Sequence, residues 1–316
     1  MKKQIIYIFV IISLSLTVNA QLKSRNFDLG DGNQSLSTNL AKENSLESKN
    51  LSTAIELNNQ GVRKAVVENN YEQATALFRQ AIAIAPQCFN CRYNLGSALT
   101  KIENYKEATQ VFNQLIADKP EYANAYYGLG EASYYGSHFS ESIKAYRRAA
   151  ELDPQDAMAF CNLAIALHQN KEYKDALQNF DKAIKLKSDF VEAYSNRGVT
   201  LYAMERYKEA LESLRQAVAL KPDSAEVLTN LGAALLELGK RKESHKYLLE
   251  AVRLKPDYKF AIYNLAMSFI ERDERNAAYD QLAKLQKLDM DMAEQLKKQL
   301  GQKYVIDASQ VKTSYK

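Results

Sequence analysis

Three cysteines and three histidines are the side chains of this 316-residue chain best suited to nucleophilic, redox or metal chemistry. Cys88 and Cys91 have C-x-x-C spacing. Residues i and i+3 on a helical turn hold their Cα atoms about 5–6 Å apart, so the pair can close a disulfide or stay as two thiols. A helix N-terminus lowers a thiolate pKa and opens a redox role, but the βαβ context of a thioredoxin-like protein is missing. Cys161 and His168 share a helix face at i+7, about 10.5 Å along the axis, too far for a dyad or a shared metal. His138 and His245 fall in other parts of the chain. A Gly-rich phosphate loop, paired catalytic carboxylates and a Ser/His/Asp arrangement are all missing from the sequence, so we expect no catalytic residue, no metal and no cofactor.

A second set of side chains stands out by recurrence. Asn59, Asn94, Asn162, Asn196, Asn230 and Asn264 hold one place in a repeating unit, broken only at Gly128. A carboxamide donates and accepts at once, so it can pair with both the N–H and the C=O of a peptide backbone without reading its side chains.

The elements that must carry this column follow from the period. The five prolines, Pro86, Pro120, Pro154, Pro222 and Pro256, stand 34, 34, 68 and 34 residues apart, with Ser188 at the vacancy. Small residues run in two columns, one of Gly96, Gly130, Ala164, Gly198, Gly232 and Ala266, the other of Ala74, Ala108, Ser142, Ala176, Ala210, Ser244 and Ala278. Four residues after the second column come Phe78, Phe112, Tyr146, Phe180, Leu214, Leu248 and Leu282. Apolar i, i+4 pairs such as Leu95/Leu99, Leu163/Leu167 and Leu231/Leu235 predict a first helix, and a second follows in each unit. The small residues let the two helix axes approach, the large one fills the wedge, and proline closes the second helix. Neither helix buries its stripe alone, so neighbouring hairpins must stack.

These columns resemble the tetratricopeptide repeat family, a 34-residue helix–turn–helix unit. Seven units are matched from about Ala54 to Asp289, without any Trp. The first carries one extra residue, since Gly61 lies 35 before Gly96, and we place the insertion near Glu68-Asn69-Asn70. The resemblance implies an all-α, right-handed superhelix, an α-solenoid, closed by a C-terminal capping helix from Met292 to Leu300. It also implies a binding function, with first helices lining a concave groove and the amide position facing it. On that reading Asn94, Asn162, Asn196, Asn230 and Asn264 hold an extended peptide. A first-helix spacing of about 10 Å matches three extended residues, so four units engage about 9–12 of them. Tyr93, Tyr127, Tyr134, Tyr202 and Tyr263 are expected to pack the ligand's apolar side chains. The Lys and Arg of carboxylate-clamping relatives are replaced here by Tyr93, Tyr127, Cys161, Ser195, Thr229 and Tyr263. The alternative is a structural subunit or scaffold of an envelope or secretion complex, held by its convex face or C-terminal helix.

Composition agrees with a folded helical chain: 46% hydrophobic, 25% charged, with only eleven glycines and five prolines. Lys2 and Lys3 precede an apolar run from Ile5 to Val18, and Val18-Asn19-Ala20 ends in small residues, the pattern of a secretory signal cut after Ala20. Fourteen residues at 1.5 Å rise span about 21 Å, short of a ~30 Å hydrocarbon core. Cleavage lowers the net charge from +4 to +2, which with interspersed acids argues against nucleic acid as a partner. We therefore expect residues 1–20 as signal peptide, 21–53 as flexible linker, 54–290 as seven repeats, and 291–316 as capping helix and mobile tail. The expected partner is a protein or extended peptide, not a small-molecule substrate. Membrane contact is expected only through an uncleaved signal, and the compartment is secreted or periplasmic.

Overall fold

The computed structural model describes residues 46–311. All regular structure among them is helical. In chain order the helices are α1 (Leu46–Val66), α2 (Tyr71–Ile84), α3 (Phe89–Lys101), α4 (Tyr105–Asp118), α5 (Ala123–Tyr135), α6 (Phe139–Leu152), α7 (Ala157–Gln169) and α8 (Tyr173–Leu186). There follow α9 (Val191–Ala203), α10 (Tyr207–Leu220), α11 (Ala225–Glu237), α12 (Arg241–Leu254), α13 (Lys259–Glu271), α14 (Arg275–Leu288) and α15 (Met290–Val311). Consecutive pairs form helix–turn–helix hairpins, and each hairpin's second helix also packs on the next first helix within its unit. There are two compact units, one carrying α1–α8 up to Leu186 and the other α9–α15 from Lys187.

The two kinds of helix differ in burial because they differ in neighbours. A second helix such as α8 buries Ala176, Leu177, Phe180 and Ala183, one stripe at i, i+4 and i+7. First helices lie against both their own partner and the neighbouring hairpin, so α13 buries every residue from Ala261 to Ile270. Between the helices of a hairpin the large column residue sits over the small one. A Cβ built on Gly130 would stand 2.8 Å from the Tyr146 ring, and one on Gly232 2.5 Å from Leu248 Cγ. Where the second small column holds serine, the hydroxyl donates back to the first helix, Ser142 to Gly130 O at 2.8 Å and Ser244 to Gly232 O at 2.7 Å.

Every hairpin turn uses one residue with positive φ: Asn69, Glu103, Ser137, Lys171, Glu205, Gly239 and Asp273. From the second hairpin on, the next N–H reaches back to the carbonyl five residues earlier, as in Asn104 to Leu99 and Glu172 to Leu167, both 2.9 Å. In the first hairpin the span is six, Asn70 to Lys64 at 2.9 Å, which is how the extra residue is absorbed. Second helices end one residue before the prolyl neighbour: Ala85 and Lys119 cap them in extended backbone, with φ −134° and −140°. α8 stops at the same place without a proline, at Leu186 ahead of Ser188.

Two expected boundaries move. α1 begins at Leu46, inside the segment expected as linker, because Leu51 and Ala54 have buried seats against Ala81, Ala85, Cys88 and Cys91. α15 begins at Met290 and runs on to Val311, beyond Gly301, where a mobile tail was expected. Met292, Ala293, Leu296 and Leu300 of α15 cover the apolar faces of α13 and α14. Residues 1–45, with the signal, its cleavage site and most of the linker, and residues 312–316 lie outside the described residues.

Candidate functional site

First-helix interiors position the amide column. Asn94, Asn162, Asn196, Asn230 and Asn264 lie on α3, α7, α9, α11 and α13, and all are between 0% and 9% exposed. They face protein rather than an open surface, because neighbouring hairpins close over the first helices. Asn94 Nδ2 donates to Asn58 Oδ1 at 2.8 Å, and Asn162 Nδ2 to the Tyr127 hydroxyl at 2.5 Å. These two amides tie consecutive first helices. Asn58 thus takes the place that Tyr127 has later in the chain, one residue before the column, while the column's own first-hairpin member, Asn59, is exposed. Around Asn196 the pattern changes: neither Nδ2 nor Oδ1 has a hydrogen-bond partner among the described residues, nor has Oγ of the adjacent Ser195.

The break at Gly128 has a steric cause. A Cβ there would lie 2.5 Å from Phe112 Cε1, and one on Gly96 2.7 Å from Cζ of the same ring. Phe112 thus occupies space that a side chain at 128 would need.

The tyrosines expected to form a contact surface divide. Tyr93, Tyr127 and Tyr263 are buried, which corrects their placement as groove-lining groups. Tyr93 packs edge-on against Phe112 and Tyr122, each at 6.0 Å, and Tyr127 against Tyr146 at 5.5 Å. Burial pushes the Tyr263 phenol up to about 12. Tyr134 and Tyr202 keep part of their surface. Tyr134 meets Tyr135 at 5.7 Å and Phe139 at 5.5 Å, and burial pushes its phenol up to about 12. Tyr202 donates to Glu237 Oε1 at 3.0 Å, and its pKa rises through burial and the Glu237 charge.

The sequence reading missed a half-buried ion pair, Lys101 Nζ to Glu131 Oε1 at 3.1 Å, that links α3 to α5. Its signal was an offset of 30 residues, four short of the repeat; the same offset recurs in Arg241–Glu271 and Lys259–Asp289, both 2.7 Å. Second helices are joined at an offset of 28, by Arg79–Glu107 at 2.6 Å and Arg215–Glu243 at 2.7 Å.

Cys88 and Cys91 form a disulfide with Cα atoms 5.3 Å apart. Cys161 is buried and outside any disulfide. His168 packs edge-on against Tyr173 at 5.1 Å, and burial lowers its pKa to about 4. His245 Nδ1 lies 3.0 Å from Ser268 Oγ. Among the described residues no three His, Cys, Asp or Glu groups converge as metal ligands, and no helix is long and apolar enough to cross a membrane.

Family models described as TPR repeat match residues 132–171, 166–205 and 200–239, and models described as tetratricopeptide repeat match 65–133 and 225–258. No curated protein matches the chain. Among solved structures, a tetratricopeptide repeat protein from Parabacteroides merdae is similar at 13% identity with a TM-score of 0.63, covering 78% of this chain and 98% of that one. PilW, titled a widely conserved type IV pilus biogenesis factor, is 17% identical with a TM-score of 0.60, covering 68% of this chain and 99% of its own. PilF of Pseudomonas aeruginosa is 20% identical with a TM-score of 0.57 over 69% of this chain and 97% of its own. At these identities the likeness is one of fold.

Proposed function

Because the chain belongs to the tetratricopeptide repeat family, we propose that it is an exported protein-interaction module. Its partner is an extended peptide or protein segment, held along the wall of first helices through backbone-directed amides. The observation that carries this reading is Asn196. A buried amide without partners costs roughly 1–3 kcal/mol, and a peptide unit offers both the donor and the acceptor it lacks. Asn230 and Asn264 repeat the position on the next two first helices of the same unit and extend the run. Because these amides are covered in the free chain, ligand entry requires the wall to give locally, which makes affinity modest.

Export rests on the signal pattern of residues 1–20 and is supported by the Cys88–Cys91 disulfide, since such links persist in oxidising compartments. Intact-mass measurement of exported material should show an N-terminus at Gln21; a membrane-retained species starting at Met1 would defeat that part of the reading.

The binding test compares two amides. Peptides selected against the wild-type chain from a random display library should bind Asn196→Ala several-fold more weakly, while that variant is at least as stable as wild type. Asn94→Ala should instead lose stability, because it leaves Asn58 buried and unpaired. Wild-type affinity in Asn196→Ala would end the amide-column reading.

A second reading is favoured by exposed apolar groups on the outer helices. Leu249 on α12 is 45% exposed and Tyr279 on α14 41%, with Leu288 and Met290 exposed where α14 meets α15. These suit a scaffold subunit held by its outer face or C-terminal helix. Loss of assembly in a Leu249→Glu/Tyr279→Glu variant, with peptide binding intact, would select it.

A further inference from the structure

The amide column makes no use of Cys88 and Cys91, and their surroundings differ from those of an inert staple. Cys88 is the N-cap of α3, and its Sγ accepts the Cys91 N–H at 3.3 Å. If the disulfide opens, that sulfur stays at the positive end of a 13-residue helix with an N–H aimed at it, an arrangement that stabilises a thiolate. Access is unequal as well: Cys88 is 7% exposed and Cys91 0%. Both are buried, and an incoming thiolate would have to approach from the side of Cys88, which keeps the small exposed remainder. Both sulfurs lie in a buried seam made by Leu51 and Ala54 of α1 and by Ala81 and Ala85 at the end of α2. The link therefore sits where the first hairpin meets the second, one helical turn before Asn94, which holds Asn58 of α1.

We propose that Cys88–Cys91 is a thiol–disulfide exchange site that controls how firmly the first hairpin packs on α3. The reductant is an external dithiol. Its thiolate attacks Cys88 Sγ, the Cys88–Cys91 bond breaks, and Cys91 leaves as a thiolate that takes up a proton. The second thiol of the reagent then displaces Cys88, which departs as a thiolate while the reagent closes its own disulfide. Two electrons pass from the dithiol to the protein, and the remaining proton goes to solvent. Two unlinked sulfurs, the Cys88 thiolate and the Cys91 thiol, now each need their own van der Waals envelope in a seam of buried residues, so α1 loosens. A disulfide donor reverses the step.

The test uses the full chain with dithiothreitol as reductant and glutathione disulfide as oxidant. Reduction, verified by a mass gain of two hydrogens, should speed hydrogen exchange of the α1 amides about tenfold or more, with α11–α14 unchanged. Glutathione disulfide should restore protection. In a Cys161→Ala background, Cys91→Ala leaves Cys88 alone and Cys88→Ser leaves Cys91 alone. The first should react with an aromatic disulfide at least about tenfold faster than the second. Three outcomes would each overturn the proposal: a disulfide that survives millimolar dithiothreitol in the folded chain, unchanged α1 exchange after verified reduction, or equal reactivity of the two thiols.

Discussion

Position 128 separates repeat-consensus reasoning from packing. All six other units carry Asn at this place in the sequence alignment, so consensus design would install Asn at 128 and expect a gain. The structure implies the opposite. The new Cβ would stand 2.5 Å from Phe112 Cε1, where carbon–carbon contact prefers about 3.5–4.0 Å, so the ring must retreat by about 1 Å. It has no room to do so, because a Cβ on Gly96 would already be 2.7 Å from Cζ and the ring is fully buried. For Gly128→Ala, overpacking of about 1–3 kcal/mol is offset by about 1 kcal/mol of helix propensity, leaving a net loss of about 0–2. For Gly128→Asn the propensity gain shrinks to a few tenths, and a buried amide without a partner adds about 1–3, giving a loss of about 2–6 kcal/mol. Phe112→Leu should relieve the clash, since Leu214 and Leu248 occupy the same column against Gly198 and Gly232. The double variant should then be more stable than the sum of the single effects by at least about 1 kcal/mol. Urea unfolding followed by circular dichroism at 222 nm measures the wild type, the three single variants and the Gly128→Asn/Phe112→Leu double variant. A Gly128→Asn variant as stable as wild type would refute the steric account.

Lys171 and Glu205 hold left-handed turn positions with φ of 64° and 59°, so Lys171→Gly and Glu205→Gly should each raise stability by about 0.5–1 kcal/mol in the same titration; a loss would mean the turns are not strained. His168, with its pKa lowered by burial to about 4 against 6.5 unfolded, is proton-free in the fold and takes up a proton on unfolding. Its contribution is full above pH 6.5 and drains as pH falls toward 4, by at most about 3 kcal/mol. His168→Phe should flatten that part of the pH–stability curve; parallel curves would remove His168 as the cause. Leu296, fully buried on the inner face of α15, should cost about 2–5 kcal/mol as Leu296→Ala, read by hydrogen exchange as loosening of α13–α15 and not of α1–α4. Unchanged protection there would show that α15 does not cap the array.

The hairpins were legible because a repeat array is built from contacts that recur at fixed sequence distance. The proline column, the paired small columns and the aromatic that follows them all sit where the packing needs them, and even the first hairpin's extra residue showed in the spacing of Gly61 and Gly96. The positive-φ turn column was not legible, because Glu103, Ser137, Lys171 and Glu205, four of its seven members, are not of the Gly, Asn or Asp types that signal it. Helix N-caps were partly hidden for a similar reason. Cys88, Asp156 and Ser224 cap by side chain, whereas Tyr122, Phe190 and Tyr258 do not. Those aromatics instead lie under Lys119, Lys187 and Lys255, at 5.0, 5.1 and 4.8 Å.

The sequence by itself determined the unit, its helices, where each second helix stops, and that one amide would return at one angular position. Whether those amides meet solvent or protein was decided by the tertiary structure. A period places a side chain on a helix face, but the neighbouring hairpin determines what covers that face, and the shapes of its side chains vary from unit to unit. So Asn94 finds Asn58, Asn162 finds Tyr127, Asn196 finds no partner among the described residues, and Gly128 gives its space to Phe112.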